Sequence, residues 1–481
     1  MSTLDSVEKY ATYRGLPPLA GLTSMAHAVQ CEWSVEQSTE RLKRLHYVLK
    51  RLHETLTARI TSEPIYELKT AFSHHAYLCA EYTTAIRHRV SEMRVPPLGL
   101  DQVPHESLKI LMDEIIAAPT TEELVLGVYE VAVPSVLEAA WRLEQDAHPL
   151  ADAPTVRLAK LMQFEFKDVA VFGSQAVACL VTSEQRLAMQ TWLDLLRLCL
   201  STAGGVDGAL AVDVATTPAP HYSVKPYQYQ GEPKRDERFH DSYNAGVNPE
   251  AFLYDERFSA RDKTLMMYYK RIREIDVPEM MASILHDLRN DEPWEFHMEM
   301  SRQLWDESRH AMMGEVGFVS LGMDWSKIPI NFTWSRNLNL QLDARERHGV
   351  LFFIEQGLMP RTGKRYEWEV GCKSGDGLSG MFQDFDWADE VLHAQIGRRW
   401  YVPRYKSLQE ALVYGDRCWT KVVSQWHGYR DQGLTDHCNW WPELYREACV
   451  RWNVSPDPLA LSFNTTYEDS RADLKKLDLT D

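Results

Sequence analysis

Asp306-Glu307-Ser308-Arg309-His310 and Asp389-Glu390-Val391-Leu392-His393 carry one five-residue pattern twice, each time inside a stretch whose apolar residues recur at three- and four-residue steps. Such steps mark a helix. On a helix, residues i and i+3 share a face, so each Glu–His pair offers two donor side chains side by side. Chance supplies roughly one Glu-x-x-His match in a chain of this composition. A third copy, Asp236-Glu237-Arg238-Phe239-His240, has no helical period around it and is read as a decoy. The weight therefore falls on what surrounds the other two.

Helical periodicity runs from Arg261 to Arg289, turns at Asn290-Asp291-Glu292-Pro293, and resumes from Trp294 to about Phe318. A connection rich in Trp, Pro and Asn leads to about Leu342. Two further helices are predicted, roughly Ala344 to Gly357 and Leu378 to Trp400, with Pro360 and Gly363 disturbing the chain between them. Folded antiparallel about the turn at 290–293, the first two bring Glu274 level with Glu307. Glu355 stands in the same relation to Glu390. It follows the apolar run Val350-Leu351-Phe352-Phe353-Ile354, where an unpaired carboxylate is costly to bury. Four antiparallel helices would thus direct Glu274, Glu307, His310, Glu355, Glu390 and His393 into one bundle core. Four carboxylates and two imidazoles compensate two divalent cations. Pro278 removes the amide that would bond the Glu274 carbonyl and predicts a kink, which leaves Glu279 as the less favoured alternative to Glu274.

These six positions, in this order over residues 261–405, resemble the ferritin-like diiron-carboxylate superfamily, in which two helices each give a Glu and two each give a Glu-x-x-His. The resemblance implies a dinuclear site for two Fe ions, with Mn or a mixed Mn/Fe pair as alternatives. It also implies a role for Asp306 and Asp389. In that superfamily an acid directly before the ligand Glu often hydrogen-bonds a ligand histidine, which orients the ring.

Upstream, Leu42, Leu45, Val48, Leu49, Leu52 and Leu56 define one buried helical face. Similar patterns run from Ile65 to Met93, Glu122 to Leu143, Val156 to Val181 and Gln185 to Leu200, broken at Pro96-Pro97, Pro104 and Pro149 to Pro154. Strand-like alternation is almost absent, so the expected class is all-α. This half contains a faint second copy. Glu81, Glu130 and Glu165 follow the spacing of Glu307, Glu355 and Glu390, but Thr84 and Asp168 stand at the histidine positions. It is read as a degenerate bundle kept for packing or dimerisation rather than as a second metal site. The expected organisation is two tandem ferritin-like four-helix bundles with a C-terminal helical extension. Residues 1–200 form the degenerate copy, 201–255 a Gly- and Pro-rich linker, 256–405 the metal domain and 406–481 the extension.

The 481 residues are 44% hydrophobic and 25% charged, which is ordinary globular usage. Lys and Arg number 52 against 69 Asp and Glu, a net charge of −17 that repels phosphate backbones and anionic lipid. Neither nucleic acid nor a membrane is expected as a partner. The longest apolar stretch, from Val169 to Val181, is too short to span a bilayer, and the N-terminus lacks a basic and apolar leader. Eight scattered cysteines without a Cys-x-x-Cys pair read as reduced, mostly buried thiols, and a cytoplasmic location is expected. His74, His75, His88, His286, His297, His348 and His427 are read singly as core or surface histidines, and Trp400-Tyr401 and Trp440-Trp441 as core or interface. No glycine-rich phosphate loop or nucleophile elbow occurs in the sequence.

The function that the resemblance implies is that of a non-haem dinuclear iron oxygenase or oxidase. With O2 as co-substrate, it would oxidise a small organic molecule by hydroxylation, N-oxygenation, desaturation or C–C cleavage. Trp305, Met312, Phe352, Phe353 and Trp387 are candidates for the apolar walls of its pocket. Specificity is expected to come from the 319–343 connection and the C-terminal segment. An external electron donor and a homodimer are compatible with this reading. The alternatives are a non-catalytic or ferroxidase-type metal-handling protein, and a scaffold whose acidic core is only structural.

Overall fold

The computed structural model describes residues 7, 10–94, 99–212, 217–423, 426–467 and 469, with the side chains of 426 and 427 left out. Pro96-Pro97 and the His427 side chain thus lie outside the described residues. Among these the chain is all-α, with no strand. It divides into two compact units, Met1–Leu56 with Leu78–Gln228, and Thr57–Tyr77 with Tyr229–Asp481.

Two long helices open the chain, α1 (Val35–Ser62) and α2 (Tyr66–Ser91); the end of α1 and the start of α2 count with the second unit. The leucine and valine face predicted for α1 is buried throughout. The first unit continues with α3 (Glu106–Ile116), α4 (Thr121–Asp146), α5 (Ala153–Leu180) and α6 (Gln190–Ala203). A π-helical stretch, Leu126–Ala132, lies inside α4. By length and composition α4 could cross a membrane, which the search for apolar runs had not flagged. The same test is passed by core helices, and 67% of its apolar window is buried inside the structure.

The segment read as a linker is not a free tether. Within the first unit, the buried Glu114 carboxylate accepts hydrogen bonds from the backbone amides of His221, Tyr222 and Ser223 and from Trp192 Nε1. Within the second, Arg235 Nη1 donates to the carbonyls of Ile330 and Asn331. Buried polar groups of this kind hold irregular backbone in place as firmly as a helix ladder would.

The second unit holds α7 (Ala260–Arg273), α8 (Asp276–Asp287), α9 (Trp294–Ser320), α10 (Thr333–Gln341), α11 (Ala344–Gly357), α12 (Lys364–Lys373), α13 (Gly377–Trp400), α14 (Leu408–Val423) and α15 (Trp441–Arg451). The continuous helix expected over Arg261–Arg289 is broken at Glu274, one turn before Pro278. Pro278 has no N–H to offer, so the Glu274 carbonyl is bonded instead by the Val277 amide at 3.0 Å. Two helices of this unit were missed altogether, α10 and α12, as was α3 of the first unit. Gly314 lets α9 lie backbone to backbone on α7: a Cβ there would fall 2.2 Å from the Ile272 nitrogen and 2.6 Å from the Tyr268 oxygen. The C-terminal residues are part of this core, since Trp440 packs on Tyr269 and Trp441 on Phe252. All eight cysteines are free, but Cys31, Cys179, Cys372 and Cys438 are exposed, so only half of the thiols are buried as expected.

Candidate metal centre

The break between α7 and α8 places Glu274, α9 places Asp306, Glu307 and His310, α11 places Glu355, and α13 places Asp389, Glu390 and His393. Donor atoms of Glu307, Glu355, Glu390 and His393 lie within 4.8 Å of one another, as do those of Glu274, Glu307 and His310, and of His310, Asp386 and Glu390. All six sequence-predicted residues are thereby brought together. Glu307, His310 and Glu390 each belong to two of the three groups. All six are buried except Glu274, whose side chain keeps 13% exposure.

Each of the six leaves one buried atom without a hydrogen-bond partner: Glu274 Oε2, Glu307 Oε1, His310 Nδ1, Glu355 Oε2, Glu390 Oε2 and His393 Nδ1. Orphaned buried polar atoms are rare, because each costs on the order of 1–3 kcal/mol. The six converge on one another, His393 Nδ1 lying 3.1 Å from Glu307 Oε1 and His310 Nδ1 3.6 Å from Glu274 Oε2, so they form one donor set that a bound cation could satisfy together. The other ring nitrogens are held in a crossed arrangement. His310 Nε2 lies 3.3 Å from Asp389 on α13, and His393 Nε2 lies 3.3 Å from Asp306 on α9. A ring that donates Nε2–H to a carboxylate keeps its Nδ1 lone pair free, the tautomer a metal ligand needs. Each acid therefore serves the histidine of the other helix.

Sequence reasoning missed five buried charges at the site, Lys270, Arg271, Lys364, Glu367 and Asp386. Asp386 stands one turn before Glu390, a signal that i,i+4 spacing on α13 could have given. It is bonded by Arg271 and, at 2.8 and 2.9 Å, by Lys364 Nζ. Lys364 also lies 2.9 Å from Glu390 Oε1, Arg271 Nη2 lies 3.0 Å from Glu274 Oε1, and Glu367 takes Lys270 Nζ at 2.6 Å. Arg302 and Arg309 close the rim on Asp306 and Asp389. In this connected network eight carboxylates (Glu274, Asp306, Glu307, Glu355, Glu367, Asp386, Asp389, Glu390) meet five cations (Lys270, Arg271, Arg302, Arg309, Lys364), an excess of three negative charges.

Three groups are pushed towards their protonated forms. Burial beside Glu390 raises Glu355 well above the usual carboxyl range. Burial opposes a charge on both histidines, but contacts with Asp306, Glu307 and Glu390 raise His393 well above its ordinary value, and those with Asp389 and Glu307 raise His310. All three shifts favour the protonated form and so offset part of the negative excess in the metal-free chain. For Glu390, burial is outweighed by the Lys364 ammonium, which holds the carboxyl well below its usual range.

Glu279, the less favoured ligand, is fully buried but engaged elsewhere: Lys69 Nζ donates to it at 2.8 Å, Arg235 at 2.9 and 3.1 Å, and Ser335 Oγ at 2.8 Å. His348 is buried against Phe296 and Tyr401, where loss of solvent lowers its pKa to about 3, and it is in none of the three donor groups. In the first unit Glu81, Glu165 and Asp168 are exposed, and Glu130 pairs with Arg186 and Arg197. Among the described residues that unit brings no such group together. Glu237 and His240 of the decoy copy are exposed in irregular chain.

A cavity of about 110 Å³ borders the site, with Glu274 in its wall. Val277, Met280, Leu338, Phe353, Ile354 and Leu358 make it apolar, and Trp334, Trp419 and Tyr467 close it. The connection at 319–343 and the C-terminal segment both contribute, as expected. Of the five apolar wall candidates only Phe353 lines it. Trp305 stacks on His74, Trp387 packs with Trp368, Phe352 against Tyr401, and Met312 against the aromatic core. Comparison of the chain with protein-family models, curated proteins and solved structures gives no match.

Proposed function

We propose that the second unit is a dinuclear metal-carboxylate oxidoreductase of the ferritin-like type, and that the first is a degenerate copy of the same bundle. The observation that carries the reading is the convergence of six orphaned donor atoms, one from each of Glu274, Glu307, His310, Glu355, Glu390 and His393. Four carboxylates and two imidazoles suit Fe(II), Mn(II) or a mixed pair, with hard oxygen donors in the majority. Two ions bound there supply the electrons and the open coordination positions that O2 reduction and oxidation of a small organic substrate require.

The chain's own residues do the rest. Glu307, Glu390 and His310, each in two donor groups, would be among the residues that hold the ions. Asp306 and Asp389 hold the imidazoles in one tautomer and raise their basicity. Glu355, His310 and His393, all shifted towards their protonated forms, would give up protons to an incoming metal, which offsets part of its charge. Gln303 Nε2 donates to Glu355 Oε1 at 3.1 Å and fixes that carboxylate's orientation. Burial keeps bulk water from the donor atoms, while Glu274 opens towards the apolar cavity. That cavity favours an enzyme over a metal-handling protein, which has no need of an organic pocket.

The test is metal loading followed by turnover. Anaerobic Fe(II) should bind at about two ions per chain. O2 uptake should then rise when a suitable small organic compound is added. Less than one tightly bound ion per chain would sink the proposal. Iron oxidation that no organic compound stimulates would favour metal handling.

A further inference from the structure

The cavity beside Glu274 is chemically specific. Two carboxylate oxygens of its lining residues lack hydrogen-bond partners, Glu274 Oε2 and Asp276 Oδ2. The first belongs to the metal donors. The second does not. Asp276 Oδ1 takes Arg235 Nη2 at 2.8 Å and Ser335 Oγ at 2.7 Å, so the carboxylate is fixed in place while Oδ2 is left over. Asp276 is 4% exposed. A buried acceptor held rigidly by its neighbour and bare on its other oxygen is a position for a ligand's donor group.

The remaining charges argue that the ligand carries none. Asp276 and Glu279 face Arg235 and Lys69 in one network, and burial raises the Asp276 carboxyl to about 7 against the pull of Arg235. Arg273 is engaged by Glu250 at 3.1 Å and lies over the Trp334 ring at 4.3 Å. Lys270 is held by Glu367. With every cation taken and apolar walls around the rest, a carboxylate would lose its hydration with nothing to replace it, and an ammonium would find only the two bare carboxylate oxygens in place of its full water shell. Size sets the other limit, since about 110 Å³ accommodates roughly seven to eleven atoms the size of a water oxygen.

We propose that this cavity is the substrate site, and that it takes an uncharged, largely apolar molecule of roughly nine non-hydrogen atoms bearing one hydroxyl or amide donor, which Asp276 Oδ2 receives. The inference rests on the proposed function for the role of substrate, but binding itself does not require metal. The site sets both orientation and selectivity. The donor anchors at Asp276 and the hydrocarbon body lies among Val277, Leu338 and Phe353, with the end nearest Glu274 presented for oxidation.

The experiment is calorimetric titration of the metal-free full-length chain with four probes of similar size: 4-ethylphenol, ethylbenzene, phenylacetate and 2-phenylethylamine. Expected is binding of 4-ethylphenol at least about tenfold tighter than each of the others, as one well-made buried hydrogen bond allows. L338W, which fills the cavity away from the ion network, should abolish binding of 4-ethylphenol and leave the number of metal ions bound unchanged. D276N, similar in shape, should bring 4-ethylphenol close to ethylbenzene. Equal affinity for ethylbenzene and 4-ethylphenol in the unaltered chain would overturn the proposal. So would tighter binding of either charged probe, or undiminished binding by L338W. Metal counts on the same preparations judge the proposed function separately, so either claim can fail alone.

Discussion

The crossed Asp–His pairs make a prediction that neighbourhood in sequence would get backwards. Asp306 adjoins Glu307 and shares a helix with His310, yet its carboxylate faces His393; Asp389 shares a helix with His393 and faces His310. D306N should therefore weaken the ion held by His393, and D389N the ion held by His310. Loss of such an outer hydrogen bond lowers metal affinity by about 10- to 100-fold, which is roughly 1.4–2.7 kcal/mol. The metal-free chain offers a second magnitude. Burial works against the Asp306 carboxylate, but contacts with His393 and Arg309 hold its pKa at about 2 against an ordinary 3.8. The difference of nearly two units corresponds to about 2 kcal/mol. Because the folded value is depressed, that stability is present above about pH 4 and is lost as the pH falls towards 2. In D306N this acid limb should flatten. The assay for the metal is anaerobic Co(II) titration, arranged as double-mutant cycles with H393A and H310A. D306N and H393A should be non-additive, because they act on one ion, while D306N and H310A should add within a few tenths of a kcal/mol. Coupling of D306N to H310A, together with additivity towards H393A, would refute the crossed assignment.

Four further outcomes follow from other parts of the molecule. E279Q should lower unfolding free energy in urea by about 3–5 kcal/mol, since it leaves Lys69 and Arg235 buried without their shared carboxylate; metal stoichiometry measured on the surviving folded protein should not change. The pair E81A and E165A should leave the bound metal count unchanged, because those acids are exposed in the first unit; loss of metal there would restore the second-site reading. G314A should destabilise by about 3 kcal/mol, seen as a lower thermal midpoint, because its Cβ would meet backbone rather than a movable side chain. Metal binding at neutral pH should release protons from Glu355, His310 and His393, whose pKa values are all raised, read with a pH indicator in weak buffer, with apparent affinity falling as the pH is lowered. Proton release below one would contradict the upward shifts at Glu355, His310 and His393.

Helices that bury hydrocarbon were legible from the amino-acid order. The Val350–Ile354 run announces α11, and the α1 face of Leu42 to Leu56 is buried as its spacing requires. The short α3 is the exception, unnamed in the sequence reading although it buries Leu108, Leu111 and Ile115; the missed helices of the second unit, α10 and α12, bury polarity instead. The buried residues of α12 are Lys364, Glu367, Val370 and Gly371, and those of α10 are Thr333, Ser335, Asn337 and Leu338. Apolar periodicity cannot register a face whose interior partners are carboxylates and amides. The same cause hid part of the site. Glu274, Glu307, His310, Glu355, Glu390 and His393 could be found because donor spacing on helices has a grammar. Lys364 and Arg271 could not, since which charge neutralises which is decided by packing across helices. Pro278 correctly signalled a break, but the chain opened one turn earlier, at the carbonyl the proline failed to bond.

Lys364 and Arg271 have a consequence for the order of events in the life of the protein. A small metal domain whose ligands repel one another must wait for its ion before it can fold. Here two fixed internal cations already engage Glu274, Asp386 and Glu390, so the helices can assemble on the ribosome's schedule rather than on the metal's. For the proposed metal centre, folding and loading would become separate steps, and the finished bundle could release an ion and accept another without coming apart. Which metal it held would then be decided by what the surroundings offer a preformed site.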